Sequence, residues 1–497
     1  MKIRTILILC AISICYVVSW GQTWKLTKTM TATLDKNVLT IRTTLDAEDM
    51  RDYDWAEEIW HERNAEIHSI VIEDNITGIY DWAFAHTPNV TSVKIANSVT
   101  YIGDYAFYNC GSLESVKLSE KLDKLGHAAF KLCKSLKSLD FPASVTVIGG
   151  ETGAGCTKLE AINVHPDNAR FSSDNGVLFS KDKTTLLLYP EGKKSNTFAI
   201  PGTVKIIAVG AFYHASFETV TIPNSVEEIR ADAFSTCTNL KSITIPNSVK
   251  TINEGVFAYC EKLTSIQVNA GNATFTSEDG ILYSKDKSLL HTYAPGKTGD
   301  FQVPSFVKFI NFSAFAGCFG LTSITIHNKV TELRGNAFAD CRNLTSITIP
   351  YSVTVLGGYV LSGCIGLKEV KVEWKKPLSI DSETFKHLDI AGITLYVPTG
   401  TIKTYQDEDI WKDFGKFVEY EFTGNEKVVI QSLNAYSSNG ILYITGLQPG
   451  KPFQIYNLAG QYLFKGIAKS EEEQIVPVTG GIYIVVSEKQ SVKVIMY

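Results

Sequence analysis

Residues 240–263 read LKSITIPNSVKTINEGVFAYCEKL, and the spacing of their apolar side chains decides the fold. Leu240, Ile243 and Ile245 alternate with Lys241, Ser242 and Thr244, the pattern of a short strand with one buried and one wet face. Pro246 and Asn247 stop that strand and turn the chain. Val249 and Ile252 then lead to Phe257, Cys260 and Leu263, where one tight helical turn is expected on the far side of the coil. The same reading recurs up and down the chain. Cys110, Cys133 and Cys156 lie 23 residues apart, as do Cys237 and Cys260, and Cys318, Cys341 and Cys364. The phenylalanine place marks eleven units, at Phe84, Phe107, Phe130, Gly153, Phe212, Phe234, Phe257, Phe315, Phe338, Leu361 and Phe385. Gly153 breaks the pattern and is expected to leave its layer thin. A fixed period of this length means one small unit stacked many times, because a single unit cannot bury its own apolar face.

The cysteine register argues against a disulfide framework or a metal knuckle, which use clustered or irregular spacing. Thr87 and Ala215 fill the same place in other units, so the place does not require a bond. Free, buried thiols acting as small hydrophobes are expected. Two insertions interrupt the period and copy one another, residues 168–190 and 272–295. Each reads as a β-hairpin, with strands Val177–Phe179 or Ile281–Tyr283 and a Lys-Asp-Lys turn at 181–183 or 285–287.

At 497 residues, 44% apolar and 20% charged, the composition is that of a folded protein. The net charge of −5 is small, and no basic stripe or Arg/Lys cluster points to a nucleic acid. Lys2 and Arg4 precede an apolar run from Ile6 to Val18 and the small residues Ser19 and Gly21, the layout of a secretory signal peptide over 1–21 cleaved between Gly21 and Gln22. That run is too short to span a bilayer, which takes about 20 residues, and no transmembrane segment is expected in the mature chain.

The repeated Ile-Pro-Asn-Ser-Val and Ala-Phe-x-x-Cys elements, seen at Ile222–Val226 and Ile245–Val249, resemble the BspA-like leucine-rich repeats of bacterial surface proteins. The resemblance covers about residues 67–398 and implies a mainly β, β-rich α/β right-handed solenoid. Residues 22–66, with Trp55 and Trp60, resemble the amino-terminal β cap of such proteins. Leu395–Pro398, Tyr405, Trp411 and Phe414 resemble the closing strand and an amphipathic capping helix over 399–422. After a linker at 423–434, residues 435–497 read as a small antiparallel β-sandwich, with strands at 428–433, 440–445, 453–458, 461–465, 482–486 and 492–496. Its Ile455–Gln461 and Gly481–Val485 stretches, with Lys493 near the end, resemble the carboxy-terminal sorting domains of type IX secretion cargo. That resemblance implies contact with a secretion machinery.

The sequence carries no Gly-rich phosphate loop, no His-Glu-x-x-His helix and no Gly-x-Ser-x-Gly elbow. His61-Glu62 lacks a second histidine four residues on, and eight equivalent cysteines read as packing rather than one activated thiolate. Neither catalytic residues, nor a cofactor, nor a metal site is expected, although the acidic run over 46–62 leaves calcium as an alternative to a solvated face. A binding surface is expected instead. Its candidate residues are the outward strand positions Lys241, Ser242, Thr244, Ser265, Gln267, Ser323, Thr325, Ser346 and Thr348, with Tyr189, Tyr283 and Tyr293 of the hairpins. The resemblance implies adhesion to host or bacterial surface proteins or glycans. The alternative is a structural spacer of the cell envelope, for which Ser/Thr rows do no more than stabilise the sheet.

Overall fold

The computed structural model describes residues 21–50 and 60–421, together with Leu447 and the segments 434–438, 441–445, 452–457, 461–467, 474–477, 481–487 and 490–496. The chain divides into two compact units, one ending at Gly280 and including Ala294–Gly296, the other formed by Ile281–Tyr293 and everything from Lys297 on.

In the first unit, Gln22–Lys25, Met30–Asp35 and Val38–Thr43 form an antiparallel meander. Its last strand then pairs in parallel with Ser69–Ile72, and the file continues through Ser92–Ile95 and Ser115–Lys117. Further coils contribute Ser138–Phe141 with Ala161–Val164, and then Thr197–Ala199, Thr219–Thr221, Ser242–Ile245 and Ser265–Val268. The register follows the sequence period: Ser69 faces Ser92, Ser92 faces Ser115, and Ser242 faces Ser265. Ile243 and Ile245 point inward as their alternation demands. The second unit repeats the plan with Gly299–Gln302, Leu321–Thr325, Ser346–Ile349, Glu369–Val372 and Thr394–Pro398, all parallel.

Most coils carry a second, short strand at their Val-x-x-Ile stretch, two residues long at Tyr101–Ile102, Lys124–Leu125 and Val147–Ile148. Two residues are too few to display an alternation, so the sequence shows no strand there. The expected helical turn before each cysteine also differs. Those residues form hydrogen-bonded turns with a left-handed residue at two places four apart, as at Trp82 and His86 or Tyr105 and Asn109. A left-handed residue breaks the α-helical path, and it turns backbone N–H groups toward the neighbouring coil. Trp82, Phe84 and His86 donate to the carbonyls of Asp104, Ala106 and Tyr108 at 2.8–2.9 Å. Coils are therefore joined on their turn side as well as through both strand ribbons.

The core runs along the stack. Phe84, Phe107 and Phe130 are buried with ring centroids 5.4 and 5.3 Å apart, and Phe212, Phe234 and Phe257 follow at 4.8 and 5.6 Å. The eight described cysteines are free and buried. Seven of their thiols donate to the carbonyl of the phenylalanine in the preceding coil at 3.0–3.2 Å, a second donor for an oxygen that in six of the seven already accepts the backbone N–H three residues on. Thr87 uses its hydroxyl for the carbonyl of Phe84. The layer at Gly153 is not thin: a Cβ there would meet Leu159 at 3.1 Å and Leu188 at 3.2 Å, so leucine side chains already fill the space.

Both insertions form the expected hairpins, and their return strands join the stack. Thr185–Leu188 pairs in parallel with Ile206–Ile207, and Leu289–Thr292 with Phe309–Ile310. With these and the end segments the described residues make about 15 coils rather than eleven. One buried asparagine anchors the first hairpin. The Asn168 amide donates to the carbonyls of Pro142 and Val145, while its oxygen accepts the N–H groups of Arg170 and Phe171.

The capping helix expected over 399–422 is replaced by a short α-helix at Ile402–Gln406, a 3-10 turn at Trp411–Asp413 and a strand at Lys416–Tyr420. That strand takes the last place in the sheet beside Thr394–Pro398. Tyr405 and Trp411 are buried below it, donating to the carbonyls of Trp374 and Leu378. Near the carboxy terminus, Asn434–Ser438, Ile441–Thr445 and Gln474–Pro477 form one antiparallel sheet. Tyr462–Ile467, Pro452–Asn457, Gly481–Ser487 and Gln490–Met496 form another. The two share a core of Leu442, Ile444, Phe453, Ile455 and Val485. The strand expected at 428–433 lies outside the described residues, and Gln474–Pro477 is an additional one.

Candidate functional site: the polar strand face

Alternate residues of the long strands face solvent while their neighbours fill the core. In the first unit Lys241, Ser242, Thr244 and Gln267 are exposed and Ser265 is half-buried. In the second, Thr325 is exposed and Ser323, Ser346 and Thr348 are half-buried. The in-register pairing sets these side chains in rows, with Thr244 beside Gln267 and Ser323 beside Ser346. Neighbouring rows are tied across the coils. Lys241 reaches Glu218 at 2.6 Å and Lys137 reaches Glu114 at 2.8 Å, and each lysine holds its glutamate below the usual carboxylate range. Asp300 accepts the hydroxyls of Ser323 and Thr322, both at 2.7 Å, and these bonds lower its carboxyl as well. These exposed contacts contribute little to stability but hold long side chains in a fixed array.

The ribbon opens at two places in the first unit, on either side of the two-stranded sheet of Ser138–Phe141 and Ala161–Val164. Ser115–Lys117 and Ser138–Phe141 belong to separate sheets. A groove of about 470 Å³ lies there, with Lys117, Glu120, Asp140, Asn163 and His165 around a floor that includes Phe141 and Val164. The Asn163 amide donates to Asp140 at 2.7 Å. Sequence reasoning passed over this groove. Its signal was the row Lys94, Lys117, Asp140, Asn163, in which charge reverses at constant 23-residue spacing.

The three hairpin tyrosines are not part of the surface. Tyr189, Tyr283 and Tyr293 are buried. Tyr189 packs against Phe198 and Phe212 at 4.8 and 5.5 Å, and Tyr293 against Phe301 and Phe315 at 4.7 and 4.9 Å. Both occupy the phenylalanine place of their coils, and burial pushes each phenol up to about 12. Tyr283 meets Phe306 at 5.6 Å. The signal was present, since Tyr189 precedes Phe212 by the repeat length of 23.

Gly21 and Gln22 are exposed, and Gln22 opens the first strand; the proposed leader before them lies outside the described residues. Of the acidic run at 46–62, residues 51–59 also lie outside. Glu48 is turned inward, accepting the hydroxyls of Thr27, Thr29 and Thr43. Burial raises its carboxyl and those three bonds outweigh that effect, so it sits lower than usual. Among the described residues no group of three or more His, Cys, Asp or Glu is placed to hold a metal ion, and no helix is long and apolar enough to cross a membrane.

Comparison with known proteins agrees with this architecture. The profile of the BspA type leucine rich repeat region matches in 6 copies, over residues 61–179, 191–281 and 292–406. A leucine-rich repeat protein from Eubacterium ventriosum shares the fold with a TM-score of 0.52 and 24% identity, covering 70% of this chain and 95% of its own. A leucine rich cell surface protein from Faecalibacterium prausnitzii matches at 23% identity and a TM-score of 0.42, over 81% of this chain and 95% of its own. A leucine-rich repeat protein from Bacteroides ovatus matches at 19% and 0.36, over 82% of this chain and 100% of its own. No curated protein matches the chain.

Proposed function

The chain belongs to the BspA-type leucine-rich-repeat family, and from that premise we propose that it is exported to the cell surface or medium, where its polar strand face binds proteins or glycans of a host or of other bacteria. It acts on them by adhesion, without a chemical step. The observation that carries this reading is the alternation at Ser242–Ile245: the isoleucines are buried while Ser242 and Thr244 stand in solvent, in register with Ser265 and Gln267 of the next coil. Rows of hydroxyls, amides and paired charges offer many weak polar contacts at a constant spacing. Such a surface suits an extended partner better than a small molecule, which needs an enclosed pocket. The leader over 1–21 and the sorting-like carboxy-terminal domain supply the route in this proposal, the latter by engaging a type IX secretion machinery.

The test is binding of the full chain to immobilised matrix glycoproteins and bacterial surface polysaccharides. Saturable binding to at least one of them is expected, weakened at least tenfold by Thr244→Arg or Gln267→Arg, which place a long cation in the rows. Failure to bind across the panel, with co-purification of an envelope component at fixed stoichiometry, would instead make the protein a spacer.

A further inference from the structure

The turn side of the first unit carries a feature that neither the core nor the strand face explains. Trp82 is 42% exposed, and its ring lies on that of Tyr105 in the next coil, centroids 4.3 Å apart and planes 11° from parallel. Tyr108 meets both rings edge-on at 5.5 and 5.7 Å, and His86 closes on Tyr108 at 5.2 Å. The core of these same coils is already filled by Phe84 and Phe107, so the outer rings are not needed to build it.

The backbone makes their presence more informative. Trp82 and Tyr105 hold the left-handed place of their turns, with φ of 60° and 55°. Bulky residues are disfavoured there, and glycine, asparagine or aspartate adopts that conformation more readily. Other coils of the unit use such residues, with Asp232 and Gly255 in the equivalent place. Two adjacent coils thus carry large aromatics at a place that Ala128, Glu151 and Asp232 fill elsewhere in the unit, so the turn itself does not call for an aromatic ring.

The chemistry of the shelf selects its ligand. Aromatic rings offer apolar, electron-rich surface, while phenol hydroxyls and imidazoles at the rim form hydrogen bonds. The Asn109 amide donates to His86 Nδ1 at 3.1 Å, which leaves the imidazole proton on Nε2 as a donor of fixed direction. Lys131 on this side of the coils is matched by Glu151 at 2.5 Å, and the Asp81 and Asp104 carboxylates beside the two rings accept backbone N–H groups of the next coil at 2.7 Å. Of the exposed large hydrophobic residues in the first unit, Leu45, Trp82, Val147 and Val209, only Trp82 belongs to it. It therefore lacks the apolar surround that shields a protein–protein hot spot from water. A neutral pyranose fits both halves, its C–H face against the rings and its hydroxyls toward the rim. We infer that Trp82, Tyr105, Tyr108 and His86 form a carbohydrate-binding shelf for a neutral glycan, on a different side of the coil from the polar strand face and independent of it.

The test uses the full chain and neutral hexasaccharides of glucose, mannose, galactose and N-acetylglucosamine, titrated by calorimetry. Saturable binding of at least one hexamer is expected. Trp82→Ala should weaken it about tenfold or more, the loss that one strong contact produces, and Tyr105→Ala should weaken it severalfold. Trp82→Gly, which suits the left-handed backbone, secures the result should the alanine variant fold poorly; thermal midpoints close to that of the parent verify folding. Thr244→Arg should leave hexamer binding unchanged, so the strand-face reading and this one stand or fall separately. Absence of binding to every hexamer overturns the inference. So does binding indifferent to both Trp82 variants, or loss in those variants of binding to an unglycosylated protein while the hexamers stay silent.

Discussion

Glu191 is a buried acid in the first unit, just beyond Tyr189, and it makes the stability of this protein depend on pH. One of its oxygens accepts the N–H of Gly155, and the other is buried without a partner. Cys156 and Cys237 lie close enough for its charge to raise their thiols further. Burial pushes the Glu191 carboxyl up from 4.5 to about 7, with the Gly155 bond offsetting only part of the effect. The folded state therefore holds this proton more tightly than the unfolded chain. Between about pH 4.5 and pH 7 the unfolded chain releases it first, so stability falls as pH rises through that window and levels off above it. Each tenfold change in proton affinity is worth about 1.4 kcal/mol, and the displacement amounts to about 3 kcal/mol. Glu191→Gln copies the shape of the protonated acid and keeps the acceptor for Gly155. The variant should match the parent near pH 4.5 and be more stable by about 3 kcal/mol at pH 8, read from urea midpoints across that range. Parallel stability curves for the two proteins would refute the reasoning and mean that Glu191 is hydrated in solution.

Phe234→Ala removes a buried ring stacked on Phe212 and Phe257; a loss of about 3–5 kcal/mol is expected by cavity formation, measured as a lowered thermal midpoint. Asn168→Ala removes a donor from two carbonyls and the acceptor of two N–H groups beneath the first hairpin, and at about 1 kcal/mol for each bond the loss is about 3–4 kcal/mol. Accelerated hydrogen exchange at Arg170 and Phe171 would localise that loss. Asn168→Asp should be no milder, because it keeps the acceptor but turns a carboxylate toward the carbonyls of Pro142 and Val145.

Much of the fold was legible because stacking makes every coil bury the same positions. Ile243, Ile245, Phe257 and Cys260 repeat for one physical reason, and the 23-residue register of the cysteines became the register of the strands. The turn side was not legible. A left-handed residue leaves no single signature when Trp82, Tyr105, Ala128, Glu151 and Asp232 all adopt it, so an expected helical turn became a ladder between coils. Tyr189 and Tyr293 were misplaced because their local sequence reads as a turn, whereas their distance of about one repeat to Phe212 and Phe315 assigns them to the core; Tyr283 lies on the expected strand, all of whose first three residues are buried. The strand-face candidates were read from alternation alone, and alternation tells which side chains are wet. It does not tell which wet side chains meet a ligand, and the groove at Asp140 and the shelf at Trp82 both depend on neighbours a full coil away in sequence.

The account rests on coils lying in register, one repeat length apart. Nitroxide labels on Ser242→Cys and Ser265→Cys test this directly, since the eight described native cysteines are buried and these two positions face one another across adjacent strands. Strands in a sheet lie about 4.8 Å apart, so the doubly labelled protein should give a strongly dipolar-broadened electron paramagnetic resonance spectrum. A spectrum equal to the sum of the two singly labelled proteins would contradict the stacking itself.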